Sequence, residues 1–343
     1  MSDLIDLAGK PDEATVTDDG NTSSRVDDRN RYKIPDPDTG KPARWTRATN
    51  FAKSIQETDN LQRWAERMVV KGLGERPDLV AQAAKLTVED RNALEHVAKE
   101  AKSAAGAWKR AGYGIALHSM TERVDRGDLD PAKAGPPWGS LLRAYVDVLR
   151  KSQVEILPQY VERTVVVKKY KVAGTFDRIV RMPSGELWIA DLKTGRDLKW
   201  SWGEIAIQLA LYANADAMYD FETGQFADMP KVNQEQALVI HLPVEGTVAA
   251  VYRINIAHGW KGAELCERAR NYRRFNGFAE EAVSVKVEDD APDLPREWVA
   301  RIAAATTVKD LSRIWSEANA KDEWTEALED LGHQRGAEIR GSS

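Results

Sequence analysis

Between Asp59 and Pro77 the apolar residues Leu61, Trp64, Met68 and Val69 recur at three- and four-residue spacing, the period of a helix with one apolar stripe. Gly72 and Gly74 end that period ahead of Pro77. A second helical stretch is expected from about Val88 to Arg126, interrupted near Gly112 and Gly114. A third, PWGSLLRAYVDVLRKSQVEIL, opens on Pro136 and Pro137, where a missing amide costs nothing. The stretch before all three, RYKIPDPDTGKPARWTRATNF, is dominated by Pro and Gly turn signals. The first half of the chain therefore reads as mainly α.

The period then shortens. YVERTVVVKKYKVAGTFDRIVRM and ELWIADLKTG are rich in Val, Ile and Thr and are split by the turn Pro183 to Gly185, which predicts an antiparallel meander. GEIAIQLALYANADAMYDF reads as one strongly apolar helix, ALVIHLP and TVAAVYRINI as two further strands separated by VEG, and GAELCERARNYRRFNGF as a basic helix closing the domain. After the acidic, Pro-containing VEDDAPDLPRE, residues from Trp298 to Ile339 alternate at helical spacing and predict a helical pair. Residues 1–30 carry eight acids and three basic residues without an apolar period, too little to offset the entropy of ordering by burial. The expected organisation is a disordered acidic tail over 1–30, a domain over 31–285 with a helical N-terminal part, and a linker with the helical pair over 286–343.

Composition narrows the function classes. The chain has 343 residues, 42% hydrophobic and 30% charged, enough for a full core, and no apolar run of membrane-spanning length, so the expected location is the cytoplasm with no membrane partner. One cysteine, Cys266, excludes an intramolecular disulfide framework, a Cys-rich zinc site and a four-cysteine iron–sulfur cluster. The net charge of −5 supplies no overall basic field, so nucleic-acid binding must rest on local patches and metal ions.

The candidate chemistry lies in GTFDRIVRMPSGELWIADLKTG, Gly174 to Gly195. Two strands that carry Asp177 and Asp191 side by side bring two carboxylates close enough to share a hard divalent cation. Lys193 leaves the strand on the same face as Asp191, two residues away. An ammonium beside a metal can orient or deprotonate an attacking water and offset charge on a phosphodiester in its transition state. For an isolated D-x-K the favoured reading is strand-end acids in solvent and an edge lysine that discourages aggregation. The glycine before Asp177, the Thr-Gly after Lys193, and the helix carrying QLALY shift the balance toward chemistry.

With those elements in this order the sequence resembles the PD-(D/E)xK nuclease superfamily, and within it the RecB-like branch that includes lambda-type exonucleases. Gly174-Thr-Phe-Asp177 matches its G-x-x-D element, Asp191-Leu-Lys193-Thr-Gly195 its D/E-x-K-T-G element, and Gln208-Leu-Ala-Leu-Tyr212 its Q-x-x-x-Y element. GIALHSMTE supplies Gly114, His118 and Glu122 for the upstream G-x-x-x-H-x-x-x-E pattern. The resemblance implies an α/β restriction-endonuclease-like core with a mixed central sheet flanked by helices. It implies that Asp177, Asp191, His118 and the backbone carbonyl of Leu192 are metal ligands for Mg²⁺, with Mn²⁺ as a substitute. Lys193 would act on the water, and Gln208 and Tyr212 would hold the DNA backbone or terminal nucleotide. Glu162 lies where many relatives carry an acid, as a ligand or as the partner of a base such as Arg178.

The implied activity is metal-dependent exonuclease cleavage of linear duplex or single-stranded DNA ends, leaving a 5′-phosphate. It would serve recombination, repair or replication of phage-type DNA, alone or with a recombinase or single-strand-binding partner, and in lambda-type relatives as a homo-oligomeric ring. A non-catalytic DNA-end-binding module and a structure-selective endonuclease on the same fold are the alternatives. No Walker-type phosphate loop is present, so helicase activity would need another subunit. Three patches mix aromatic and basic residues as nucleic-acid surfaces do: Trp108 to Arg110, Lys168 to Lys171, and Arg268 to Phe275. Each is also consistent with a solvated face. Trp200 and Trp202 follow the D-x-K strand and suit either stacking on a frayed end or walling the core.

Overall fold

The computed structural model describes residues 25–107, 109–244, 248–284 and 294–341, the side chains of 109–111 excepted. They fall into two compact units that divide between Phe275 and Asn276. The larger unit is built on a mixed nine-stranded sheet. Its strands are β1 (Tyr32–Pro35), β2 (Pro42–Arg47), β3 (Glu155–Val167), β4 (Val172–Arg181), β5 (Leu187–Lys193), β6 (Ala217–Asp220), β7 (Gln225–Asp228), β8 (Gln236–His241) and β9 (Ala250–Asn255). The main path runs β7-β6-β3-β4-β5-β8-β9, with β2 paired to both β1 and β4.

The meander expected from the Val/Ile/Thr-rich stretch is present: β3, β4 and β5 pair antiparallel, and Gly185 takes φ +86° in the turn between the last two. Strands β5 and β8 then run parallel, which requires a crossover. The apolar helix Trp202–Ala213 lies on that crossover and is buried along Ile205, Ile207, Leu209, Ala210 and Leu211.

Helices cover both faces of the sheet. On one, Phe176, Ile179, Ile189 and Val239 pack with Leu209 of that helix, Phe51 of the short α1 (Ala48–Ala52), and Cys266 of the closing helix Ile256–Arg274. On the other, Val180, Ala190, Leu192 and Ile240 pack with Leu117 of the helix Lys109–Arg126 and with Leu142 and Tyr145 of the helix Trp138–Lys151. A satellite cluster of Leu79, Val97 and Ala101 joins the three helices Asp59–Glu75, Pro77–Ala83 and Arg91–Ala104.

Four expectations are corrected. The apolar helix stops at Ala213, and Ala217–Asp220 is a strand, because the free edge of β3 offers Thr164, Val165 and Val166 as pairing partners to Tyr219, Met218 and Ala217. The turn-rich stretch around Pro35 to Gly40 closes a hairpin whose Ile34 and Trp45 are buried, with Trp45 Nε1 donating to Ile34 O. The break in the second helical stretch falls at Gly106, with φ +78°, and leaves Gly112 and Gly114 inside a helix. Among the described residues the C-terminal unit holds three helices, Arg296–Ala304, Val308–Ala320 and Glu326–Gly341, packed around Trp298, Ile302, Ile314 and Leu328. Of the expected acidic tail, residues 1–24 lie outside the described residues, as do 245–247 of the VEG turn and 285–293 of the linker.

Candidate functional site

Side chains alternate faces along a strand, so residues two apart share one. On β4 that rule fails at Asp177. Phe176 packs against Tyr212 on one face, while Arg178 turns to Thr121, Asp125 and Tyr145 on the other. Across from it, β3 pairs Val161 with Arg178 and Arg163 with Phe176 in one continuous register, which sets Glu162 opposite Asp177. Between them Glu162 takes φ +55°, a left-handed conformation that a side chain bearing a β-carbon adopts only when its surroundings impose it. The left-handed turn at Glu162 and the slip at Asp177 bring the two carboxylates to the same place.

His118, from the helix Lys109–Arg126, completes the group. The ligand atoms of His118, Glu162 and Asp177 lie within 4.8 Å of one another. His118 Nε2 stands 2.8 Å from Asp177 Oδ2, and its Nδ1 stands 2.9 Å from Glu122 Oε1 and 3.9 Å from Glu162 Oε1. Asp177 Oδ2 also accepts the Leu192 backbone amide at 2.6 Å. Burial opposes charge on His118, but the charge of and bond to Asp177, the bond to Glu122 and the charge of Glu162 raise its pKa well above the ordinary value. Glu162 is driven far up by burial and by the charges of Asp177 and Glu122. Burial would raise Asp177 too, yet His118, Arg178 and Lys193 hold it well below the usual carboxylate range.

Asp191 and Lys193 stand next to that group without joining it. Lys193 Nζ lies 2.7 Å from Asp191 Oδ2, and both side chains leave β5 on one face, as the period of two requires. Burial pushes the Asp191 carboxyl up, with Asp177 adding to it. Burial would lower Lys193, but Asp191 and Asp177 more than reverse this, so it stays an ammonium. Two glycines hold the motifs together. A β-carbon on Gly114 would sit 2.6 Å from Thr194 Oγ1, so the His118 helix approaches the D-x-K strand where only hydrogen fits; one on Gly174 would sit 2.6 Å from Tyr212 Cε1.

Gln208 and Tyr212 lie inside the protein. They are 8% and 2% exposed, Gln208 Nε2 donates to Tyr212 Oη at 2.9 Å, and the phenol packs beneath Gly174. Neither offers the surface expected of a group that holds a nucleotide.

The sequence reading missed the layer beneath the acids. Arg178 is fully buried: Nε donates to Asp125 Oδ2 at 2.9 Å, Nη1 stands 3.8 Å from Asp177 Oδ2, and the guanidinium lies over the Tyr145 ring. Tyr145 in turn donates to Asp125 at 2.7 Å. Glu162 makes no ion pair with Arg178 among the described residues; its close charged neighbour is His118. The signal available was the adjacency of Arg178 to Asp177, which on an ordinary strand would have sent the two to opposite faces.

Of the basic patches, the side chains of 108–110 lie outside the described residues. Lys168 pairs with Asp38 and Lys169 with Glu264, while Tyr170 is buried. Arg270 donates to Thr46 Oγ1, and Arg273 to Ser54 O. Trp200 is 79% exposed with Lys199 over its ring, whereas Trp202 is half-buried against Tyr252.

The donor set fits a hard divalent cation. One imidazole and two carboxylates converge, with their ligand atoms within 4.8 Å of one another. No helix among the described residues is long and apolar enough to cross a membrane. The sequence matches the family description PD-(D/E)XK nuclease superfamily over residues 59–340, and no curated protein matches it individually. That span covers most of the chain, so the chain belongs to the PD-(D/E)XK nuclease superfamily.

Proposed function

We propose that this member of the nuclease superfamily is a divalent-metal-dependent deoxyribonuclease, an exonuclease of the RecB-like type that hydrolyses phosphodiester bonds at linear DNA ends. The observation that carries the reading is the convergence of His118, Glu162 and Asp177 beside the Asp191–Lys193 pair. His118, Glu162 and Asp177 would hold the ion, with Asp191 and the Leu192 carbonyl completing its shell; Mg²⁺ is the working ion and Mn²⁺ its substitute. When bound, such an ion supplies Lewis-acid charge to a phosphoryl oxygen and lowers the pKa of water.

The protein's own groups do the rest. Lys193 is kept protonated, so it serves as a cation and donor toward the charge that builds on phosphorus-bound oxygens rather than as a base. Asp191 fixes that ammonium at 2.7 Å. Arg178 anchors the strand beneath Asp177 and offsets its charge. Gln208 and Tyr212 act as positioning residues, bracing Gly174 and hence the Asp177 strand from below. The motif resemblance supports a role in recombination, repair or replication of phage-type DNA in a bacterial cytoplasm, with a recombinase or a second copy as partner. Residues 276–343 would then be an appended helical unit.

Release of acid-soluble nucleotides from linear duplex DNA tests this. Release with Mg²⁺, none with EDTA, and none from Lys193→Ala or Asp191→Ala proteins of unchanged circular dichroism is expected. Near-wild-type release from either variant would sink the assignment, and cleavage of covalently closed circles would replace the exonuclease with an endonuclease.

A further inference from the structure

A cavity of about 990 Å³ opens on the larger unit away from the carboxylates, and its lining is cationic in a chain whose net charge is −5. Three distant pieces of sequence build it. Arg29 and Arg31 come from the segment before β1 and Arg44 from β2; Lys169 and Lys171 come from the β3–β4 turn; Arg270 and Arg274 come from the end of the closing helix. Against these seven stands one lining carboxylate, Glu267.

Part of that charge is already answered. Asp27 holds Arg31 at 2.7 Å and lies 3.7 Å from Arg44, and Glu264 lies 3.5 Å from Lys169. Arg29, Lys171 and Arg274 enter no ion pair among the described residues. The turn that presents Lys171 is held in a left-handed conformation, φ +52°, at the head of β4. Arg270 feels the crowding: burial, then the charges of Arg274 and Arg273, press its pKa below the ordinary arginine value. Like charges gathered at one cleft destabilise the free protein and are relieved by a polyanion.

We propose that this cleft is a second DNA-binding site, one that grips the phosphate backbone of duplex DNA away from the cutting centre; the proposal rests on the nuclease reading. The aromatic groups decide between duplex and single strand. Phe51 and Tyr170, which line the cleft, are buried, and their faces are occupied by Arg270 and Lys169 at 5.5 and 5.0 Å. No ring in it is free to stack an unpaired base, which single-strand sites use. What the cleft offers is guanidinium and ammonium donors, which position a backbone without reading sequence. Asp177 stands five residues beyond Val172 on the strand that Lys171 opens, a reach of about 16 Å, or half the ~34 Å turn of B-DNA. That separation is within the reach of one duplex.

The test is binding in EDTA of a labelled 30-base-pair duplex, and of a single strand of equal length, to the full chain and to Lys171→Gln/Arg274→Gln. Each neutralised phosphate contact removes about 0.9 from the slope of log K against log salt for a duplex. The double variant should therefore lose about 1.8 of slope and bind the duplex at least tenfold more weakly at 0.1 M salt. Arg150→Gln/Lys151→Gln, a matched neutralisation elsewhere, should leave the slope unchanged. An unchanged duplex slope in the cleft variant overturns the proposal, as does a loss confined to the single strand or matched by inorganic phosphate competition alone. Because no cleavage is read, failure here is separable from failure of Lys193→Ala to abolish nucleotide release.

Discussion

Gly174→Ala is the sharpest perturbation of the architecture that positions Asp177. The new β-carbon would lie 2.6 Å from Tyr212 Cε1 and 2.9 Å from both Tyr212 Oη and Ala48 Cβ, well inside contact distance. Nothing nearby yields cheaply, because Tyr212 and Ala48 are each 2% exposed and the phenol is tied to Gln208. Overpacking of this kind costs about 1–3 kcal/mol. A unit of this size loses about 2–4 °C of melting temperature per kcal/mol, so a cost near 2 kcal/mol lowers Tm by about 4–8 °C in differential scanning calorimetry. Gly195→Ala in the neighbouring motif is the control: its β-carbon would meet nothing nearer than 3.9 Å, and the change should stay within about 0.5 kcal/mol. The cause is tested by adding Tyr212→Ala. That change alone opens a cavity at about 3–5 kcal/mol, but it removes the clash, so the double variant should be more stable than the sum by about 1–3 kcal/mol. Strictly additive losses, or Gly174→Ala melting within about 1 °C of the parent, would refute the account of why glycine stands there.

Arg178→Met should cost about 3–5 kcal/mol in the same calorimetry, because it strands Asp125 and takes charge from beneath Asp177; a wild-type Tm would show that the buried ion pair is dispensable. The raised His118 pKa also has a stability consequence. Its charge contributes stability that is whole below the ordinary value near 6.5 and is lost as pH climbs through the raised folded value. Glu162, likewise raised, favours its neutral form in the fold and pushes stability the same way as it ionises. In EDTA, Tm should therefore fall from pH 6.5 upward, and fall less steeply in His118→Asn; equal slopes would remove His118 from the balance.

How much of this was legible follows from locality. Asp191 and Lys193 are two apart on a regular strand, so their shared face follows from strand period alone. The proximity of His118 and Asp177, 59 residues apart, does not follow from spacing; only the match of motifs suggested it. Glu162 was left undecided because YVERTVVV reads as an unbroken strand and nothing in it announces a left-handed residue. Arg178 was named only as a base that Glu162 could pair with; its burial against Asp125 and Tyr145 follows from the slip at Asp177, which no spacing announces. Ala217–Asp220 misread as helix because Ala and Met suit a helix locally, while the unpaired edge that converts them to strand lies 51 residues away in Val166. Buried Gln208 and Tyr212 show the reverse limit. Their spacing places them one turn apart on a helix, but whether that turn faces solvent or Gly174 is settled only by packing.

The charges of the site balance in two ways, and the difference between them can be measured. Five carboxylates, Glu122, Asp125, Glu162, Asp177 and Asp191, meet four basic groups, His118, Arg126, Arg178 and Lys193, through contacts of 3.9 Å or less. With Glu162 neutral and His118 charged, as their raised pKa values favour in EDTA, four negative charges face four positive ones. An imidazole that ligates a metal must be neutral and a ligating carboxyl ionised. Five negative charges then face three positive ones, and a divalent ion closes the gap of two. Binding of each Mn²⁺ should thus expel protons, read by titration calorimetry in buffers of different ionisation heat. Glu162→Gln and His118→Asn should each lower the number released. A count near zero in the parent protein, or one that neither substitution alters, would mean that the ion is held without these two residues and that their convergence serves the fold alone.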